Sequence, residues 1–180
     1  MNKEEYERSI RMFNTLGDEG DRACALILTA NLDNRLSELI MEFSVDLSKD
    51  RRKRILDGFL STFSSKITLC YMIGLIAKNE CDDLNRIRDI RNRFAHEEEN
   101  LNFADVEINQ WSKSLFLIQE MLREYPELKE QCKTPRDAFV ICAASLTVLL
   151  RARKQDAISQ KRTTPAVGRV LPKKDDKDKC

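Results

Sequence analysis

The chain holds a single histidine, His96, and an arginine stands five residues before it in Ile90-Arg91-Asn92-Arg93-Phe94-Ala95-His96. Histidine is the residue type best suited to moving a proton near neutrality. Arginine binds phosphate through a planar fork of donors and steadies charge that develops on it. Together they are the minimum equipment for cleaving a phosphodiester. Spacing alone carries little: with 17 arginines in 180 residues, a lone histidine meets one five places upstream about one time in ten.

The helical pattern around the pair says more. Projected at about 100° per residue, Cys81–Ala95 puts Leu84, Ile87, Ile90, Phe94 and Ala95 on one apolar side, with Cys81 at its edge. Arg86, Asp89 and Arg93 fall opposite, on a solvated face. Arg91 lands between Leu84 and Ile87, inside the apolar stripe, and Arg88 lies at its margin. An arginine there is costly unless it is paired or the stripe opens to a cleft or a subunit interface. Glu38 or Asp33 could neutralise it, and snorkelling from a helix end is a second structural reading. His96 is expected at or just past the helix end, where the helix dipole favours positive charge. On a continuous helix Arg91 and His96 point about 140° apart. They converge on one phosphate only if the helix ends between them or a second subunit supplies the other half.

Elements that must hold this segment follow from periodicity and caps. Lys3–Leu16 reads as a short helix broken by Gly17 and Gly20. A long helix is expected from about Asp21 to Leu47, with Leu28, Leu32, Leu36, Leu39, Ile40, Phe43 and Leu47 at helical spacing. Ser48–Arg54 reads as a charged connection. A third helix, about Thr62 to Ile76, is nearly apolar all round and therefore expected to be central. Asn79 is the expected N-cap of a fourth, running to about Ala95. After a polar connection over Glu97–Asn102, helix resumes from Asp105 to Arg123. Thr134-Pro135-Arg136-Asp137 then combines an N-cap, a proline at the first helical position and an acid in the first turn. The helix it opens, to about Gln160, should pack through Phe139, Cys142, Leu146 and Leu149. The expected fold is all-α, an antiparallel helical bundle of about five to six helices in one domain over residues 1–160. Residues 161–180, ending in the charged run Lys173–Lys179, read as a disordered tail.

Composition narrows the function classes. Lys+Arg 31 against Asp+Glu 30 leaves a net charge of +1, so no global basic field favours nucleic acid. The apolar runs Ile67–Ala77 and Ala138–Leu150 fall short of the roughly 20 residues of a membrane span. The N-terminus carries no apolar signal core, and a cytoplasmic, membrane-free protein is expected. Cys24, Cys70, Cys81, Cys132, Cys142 and Cys180 form no Cys-x-x-Cys pair and read as small core residues, not zinc ligands. No metal or cofactor is expected.

The segment Ile87–His96 resembles the signature of the HEPN superfamily: Arg, a polar residue, three residues, then His, at the end of a helix in an all-α bundle. Arg91, Asn92 and His96 fill its positions. Within that superfamily the chain is most similar to the mannitol operon repressor family. The matching residues are Leu56-Asp57-Gly58, Leu60, Phe63–Ile67, Tyr71–Ile76, Asp82-Asp83-Leu84, Leu101-Asn102-Phe103 and Asp105. The resemblance spans about Asp21 to Leu150 and implies two functions that diverge. One is a metal-independent endoribonuclease, dimeric so that two motifs face one cleft, in which the RNA 2′-hydroxyl attacks the adjacent phosphate. His96 would be the acid/base, Arg91 the phosphate ligand and Asn92 an orienting group, with Arg88 and Arg93 contacting the nucleic acid. Such an enzyme would be a toxin or defence nuclease with an antitoxin-like partner. Some HEPN toxins carry a modifiable Tyr two residues after the His. Glu98 stands there instead, within Glu97–Glu99, which argues against a modifying partner and repels RNA. The other function is a non-catalytic transcriptional regulator working through protein contacts. Direct DNA binding through Arg51-Arg52-Lys53-Arg54 and the tail is a minor alternative, since such charge runs are more often solvated connections.

Overall fold

A computed structural model describes residues 19–96 and 101–165. The expected N-terminal helix Lys3–Leu16, the acidic run Glu97–Glu99 and the tail beyond residue 165 lie outside the described residues. Those described form an all-α helical bundle of seven α-helices, α1 (Asp21–Phe43), α2 (Lys49–Asp57), α3 (Phe63–Met72), α4 (Lys78–His96), α5 (Val106–Lys113), α6 (Phe116–Glu124) and α7 (Pro135–Ser159), with a short 3-10 turn at Pro126–Glu130.

The two longest helices, α1 and α7, pack against each other along the centre. On α1, Leu28, Leu32, Leu36 and Leu39 recur at helical spacing and are buried, which is the periodicity of a core-facing stripe. On α7, Phe139, Cys142, Ala143, Leu146 and Leu150 answer them. The helix α4 lies across α1, and α5 and α6 close the bundle against α4 and α7. The Phe94, Phe103 and Phe139 rings meet at centroid distances of 5.1 Å and join α4, the segment after it and α7, in the tilted geometry that aromatic quadrupoles favour. Asp21 ties the same region from the other side. It pairs with Arg136 at 2.6 Å and accepts the Phe103 N–H at 2.8 Å.

The start of α7 is as the sequence suggests. Thr134 Oγ1 accepts the Asp137 N–H at 3.1 Å and Asp137 returns a bond from the Thr134 N–H at 2.8 Å, a reciprocal capping box. Several other boundaries differ from expectation. The long helix stops at Phe43, not Leu47, and the charged stretch after it is helix rather than connection. Ser48 caps α2 through the Arg51 N–H, and Asp50 and Arg54 suit the two ends of its dipole. This helix buries no residue, so apolar periodicity could not reveal it. It ends at Gly58, where a Cβ would stand 2.8 Å from the Arg54 carbonyl oxygen.

The third helix is shorter and less central than its composition implies. It buries only Lys66, Ile67 and Cys70, and Tyr71, Met72 and Ile73 are exposed. Gly74 stops it at φ +74°. The Leu75 N–H reaches back to the Cys70 carbonyl at 2.8 Å and the Gly74 N–H to that of Tyr71 at 3.1 Å, the bond pair of a glycine C-cap. Asn79 is not the N-cap of α4 but sits inside its first turn, where Oδ1 accepts the Glu80 N–H, while Glu80 Oε2 accepts the Ala77 N–H at 2.7 Å. The expected helix Asp105–Arg123 is two helices. At the break, Asp83 of α4 accepts the Phe116 and Leu117 N–H groups at 2.7 and 2.9 Å, capping α6 from another element. Beyond α7, the first residues of the expected tail turn back on α1: the Arg162 N–H bonds the Phe43 carbonyl at 2.9 Å and its guanidinium lies over the Phe43 ring.

Candidate functional site

The helix α4 is continuous from Lys78 through His96, so its backbone does not break between Arg91 and His96. Leu84, Ile87, Ile90 and Phe94 are fully buried, as the projection predicts, but Ala95 is exposed. The stripe opens where Arg91 stands. There α4 faces α1 and the start of α3 across a cleft of about 460 Å³. Arg88, Arg91 and Asn92 form its α4 wall, Thr29, Ala30 and Asp33 its α1 wall, and Ser61–Ser64 its third side. The arginine in the apolar stripe therefore has its reason in an opening of the fold.

Both partners suggested for Arg91 are otherwise engaged. Asp33 receives Lys66 Nζ on both oxygens, at 2.8 and 2.7 Å. Glu38 pairs with Arg35 at 2.9 Å and with Lys154 at 3.4 Å. Arg91 is half-buried and donates from Nη1 to Asn92 Oδ1 at 3.0 Å. Arg88 clamps the cleft's corner. Its Nη1 donates to Ser64 Oγ at 3.0 Å and to Asn85 Oδ1 at 2.8 Å, and its Nη2 to Asp89 Oδ1 at 2.8 Å.

Of the five residues singled out from the sequence, Arg88, Arg91 and Asn92 meet at this cleft. Arg93 does not: its Nε pairs with Glu107 Oε2 of α5 at 3.1 Å. His96 is exposed on the last turn of α4 and is not among the residues lining the cleft. Within one chain, the arginine and histidine of the motif thus occupy separate surfaces. The polar residues across the cleft that sequence reasoning did not single out as site residues are Ser61, Thr62 and Ser64. One signal was present, since Thr62 followed by Ser64 and Ser65 ahead of an apolar run is an N-cap pattern. Thr62 Oγ1 does accept the Ser65 N–H at 3.1 Å.

Among the described residues, nucleophilic chemistry has no support from the thiols. Burial pushes the Cys70 thiol up to about 12 and raises those of Cys24, Cys81, Cys132 and Cys142, the opposite of an activated cysteine. Among the described residues, no group of three or more His, Cys, Asp or Glu side chains could hold a metal ion, and no helix is long and apolar enough to cross a membrane.

No protein-family model matches the sequence, and no curated protein matches it. In three dimensions the chain is similar to MtlR, the mannitol operon repressor, in the X-ray structure of the MtlR-HPr complex from Escherichia coli. The TM-score is 0.60 at 16% identity, over 79% of this chain and 97% of that one. At that identity the likeness is one of fold, and the fold of this chain is the mannitol-repressor-like helical bundle, with the Arg91 cleft set between its first, third and fourth helices.

Proposed function

We propose that this protein is a cytoplasmic transcriptional regulator of the mannitol-repressor kind that acts through protein–protein contacts without catalysis. The observation that carries this reading is the likeness of fold to an MtlR chain crystallised with a protein partner, HPr. The balance of charge supports it. With a net charge of +1, and with Arg88 and Arg93 engaged by Asp89 and Glu107, the face of α4 offers no basic track for a nucleic-acid backbone. A partner of the HPr kind is the first to test. Calorimetric titration with the HPr of the same cell should give saturable binding, and deleting the regulator should change transcript levels. The reading fails if no such partner binds and deletion leaves transcription unchanged. A transcriptional effect that disappears in the Arg91→Ala/His96→Ala double variant, which retains its fold, would also count against it.

One observation favours a second reading, a HEPN-type metal-independent endoribonuclease. Arg91 and Asn92, the first two residues of the motif, stand side by side on the wall of an open cleft. Because His96 lies about 140° further around the same helix, the catalytic set would need a homodimer in which one chain's His96 approaches the other's Arg91. Arg91 would hold the phosphate, His96 would move the proton and Asn92 would orient the arginine, with an antitoxin-like protein as partner. Purified protein would then cut RNA in the presence of chelator. Intact RNA, equal cutting by His96→Ala, or a strictly monomeric protein at micromolar concentration would each remove this reading.

A further inference from the structure

Charges at the cleft do not cancel among themselves. Lys66 is matched by Asp33, and Arg88 by Asp89. Arg91 is the remaining cation. Among the described residues its hydrogen-bond partner is the neutral Asn92 side chain, which accepts from one terminal nitrogen and tethers that edge of the guanidinium. A half-buried guanidinium held in place by a neutral group keeps its full charge and its other donors for a ligand.

What surrounds Arg91 suits one class of ligand. Ser61 and Ser64 line the opposite wall, the Thr62 hydroxyl being committed to Ser65, and the Arg88 bond holds Ser64 in position. Leu26, Ala30 and Phe63 supply an apolar side. The volume, about 460 Å³, lies in the range of roughly 300–1,000 Å³ of small-molecule sites. A single uncompensated cation with donors across from it suits one compact dianionic head. A polymer of phosphates needs a row of cations, and the next arginine on the helix, Arg93, is held by Glu107.

We propose that this cleft binds a small phosphomonoester. Arg91 takes the phosphate through its fork, Asn92 sets the fork's orientation, and the Ser61 and Ser64 hydroxyls bond the remaining oxygens. The carbon body rests on Leu26, Ala30 and Phe63. The site lies within a single chain and shares Arg91 and Asn92 with the nuclease reading, but it uses neither His96 nor a second chain, so it can hold where that reading fails.

The test is a titration of the full, isotopically labelled chain at constant ionic strength, first with inorganic phosphate and then with ribose 5-phosphate, reading backbone amide shifts. The expected result is saturable shifts confined to the amides of Ser61–Ser64 and Arg88–Asn92, with ribose 5-phosphate the tighter ligand. Losing a charge-assisted bond weakens binding by about tenfold or more, which is the expectation for Arg91→Ala. Arg91→Lys should also weaken it, because an ammonium cannot reproduce the fork. Lys113→Ala, which removes an exposed charge from α5, should not. No shift at these amides overturns the proposal, as does binding by folded Arg91→Ala or Arg91→Lys as tight as that of the unsubstituted protein. An RNA oligonucleotide that binds through Arg91 where neither phosphate nor ribose 5-phosphate does overturns it in favour of the nuclease reading.

Discussion

Which cation Asp33 serves decides whether the cleft carries excess positive charge, and a double-mutant cycle can measure it. The perturbation is Asp33→Asn, which keeps the side-chain shape and removes the charge. Lys66 Nζ lies 2.8 and 2.7 Å from the two carboxylate oxygens, and the side chains are 7% and 29% exposed for Lys66 and Asp33. Exposed pairs contribute about 0–1 kcal/mol, whereas breaking a buried pair costs about 3–5 kcal/mol because a charge is stranded. With one partner buried and the other half-open, the cost of Asp33→Asn should be about 2–3 kcal/mol. For a chain of this size that lowers Tm by about 4–12 °C. Urea denaturation of the single and double variants gives the coupling. Asp33→Asn with Lys66→Met, whose unbranched side chain fills similar space, should show about 2 kcal/mol of interaction. Asp33→Asn with Arg91→Met should be additive within about 0.5 kcal/mol. If Asp33 couples more strongly to Arg91 than to Lys66, the carboxylate neutralises the arginine, and the argument for an anion in the cleft is refuted.

Asp83→Ala should destabilise the protein by about 2–3 kcal/mol in urea denaturation, since two N–H groups of α6 lose a charged acceptor. Burial raises the Asp83 carboxyl above its ordinary range, against the lowering effect of the Leu117 and Phe116 N–H bonds. The folded state therefore keeps this proton where the unfolded state has lost it. The contribution of Asp83 to stability should fall as pH rises from the usual carboxylate range to the raised value and stay level above it; a pH series in which Asp83→Asn leaves that slope unchanged would contradict this. Thr134→Ala removes one half of the α7 capping box and should cost about 1 kcal/mol, read as a shifted urea midpoint with an unchanged slope. Cys24, Cys70 and Cys142, buried and with raised thiols, should react with a thiol reagent only at the rate of unfolding, and rapid labelling of the native chain would refute their burial.

Much of the fold was legible because helices are short-range objects. The α1 leucines and the Thr134 cap each draw on residues within one or two turns, and both are found where periodicity and capping place them. Failures follow the same logic. The α2 helix has no buried face, so there was no apolar period to read. Tyr71, Met72 and Ile73 look like core by composition, yet the glycine turn at Gly74 ends the helix and leaves them exposed. The break between α5 and α6 is capped by Asp83, more than thirty residues away in the chain.

The Arg91 segment divides in the same way. From the sequence alone came the all-helical class, the amphipathic helix bearing Arg91 and the recognition that an arginine in its apolar stripe requires a partner or an opening, because a helix of fixed pitch dictates which side chains share a face. Only the tertiary structure decided between partner and opening. Asp33 is claimed by Lys66 across 33 residues, and Ser64 is brought to Arg88 across 24. Such pairings depend on how whole helices cross, and no local pattern encodes them. The fold therefore sets Arg91 and Asn92 in a cleft and leaves His96, on the same helix, outside it.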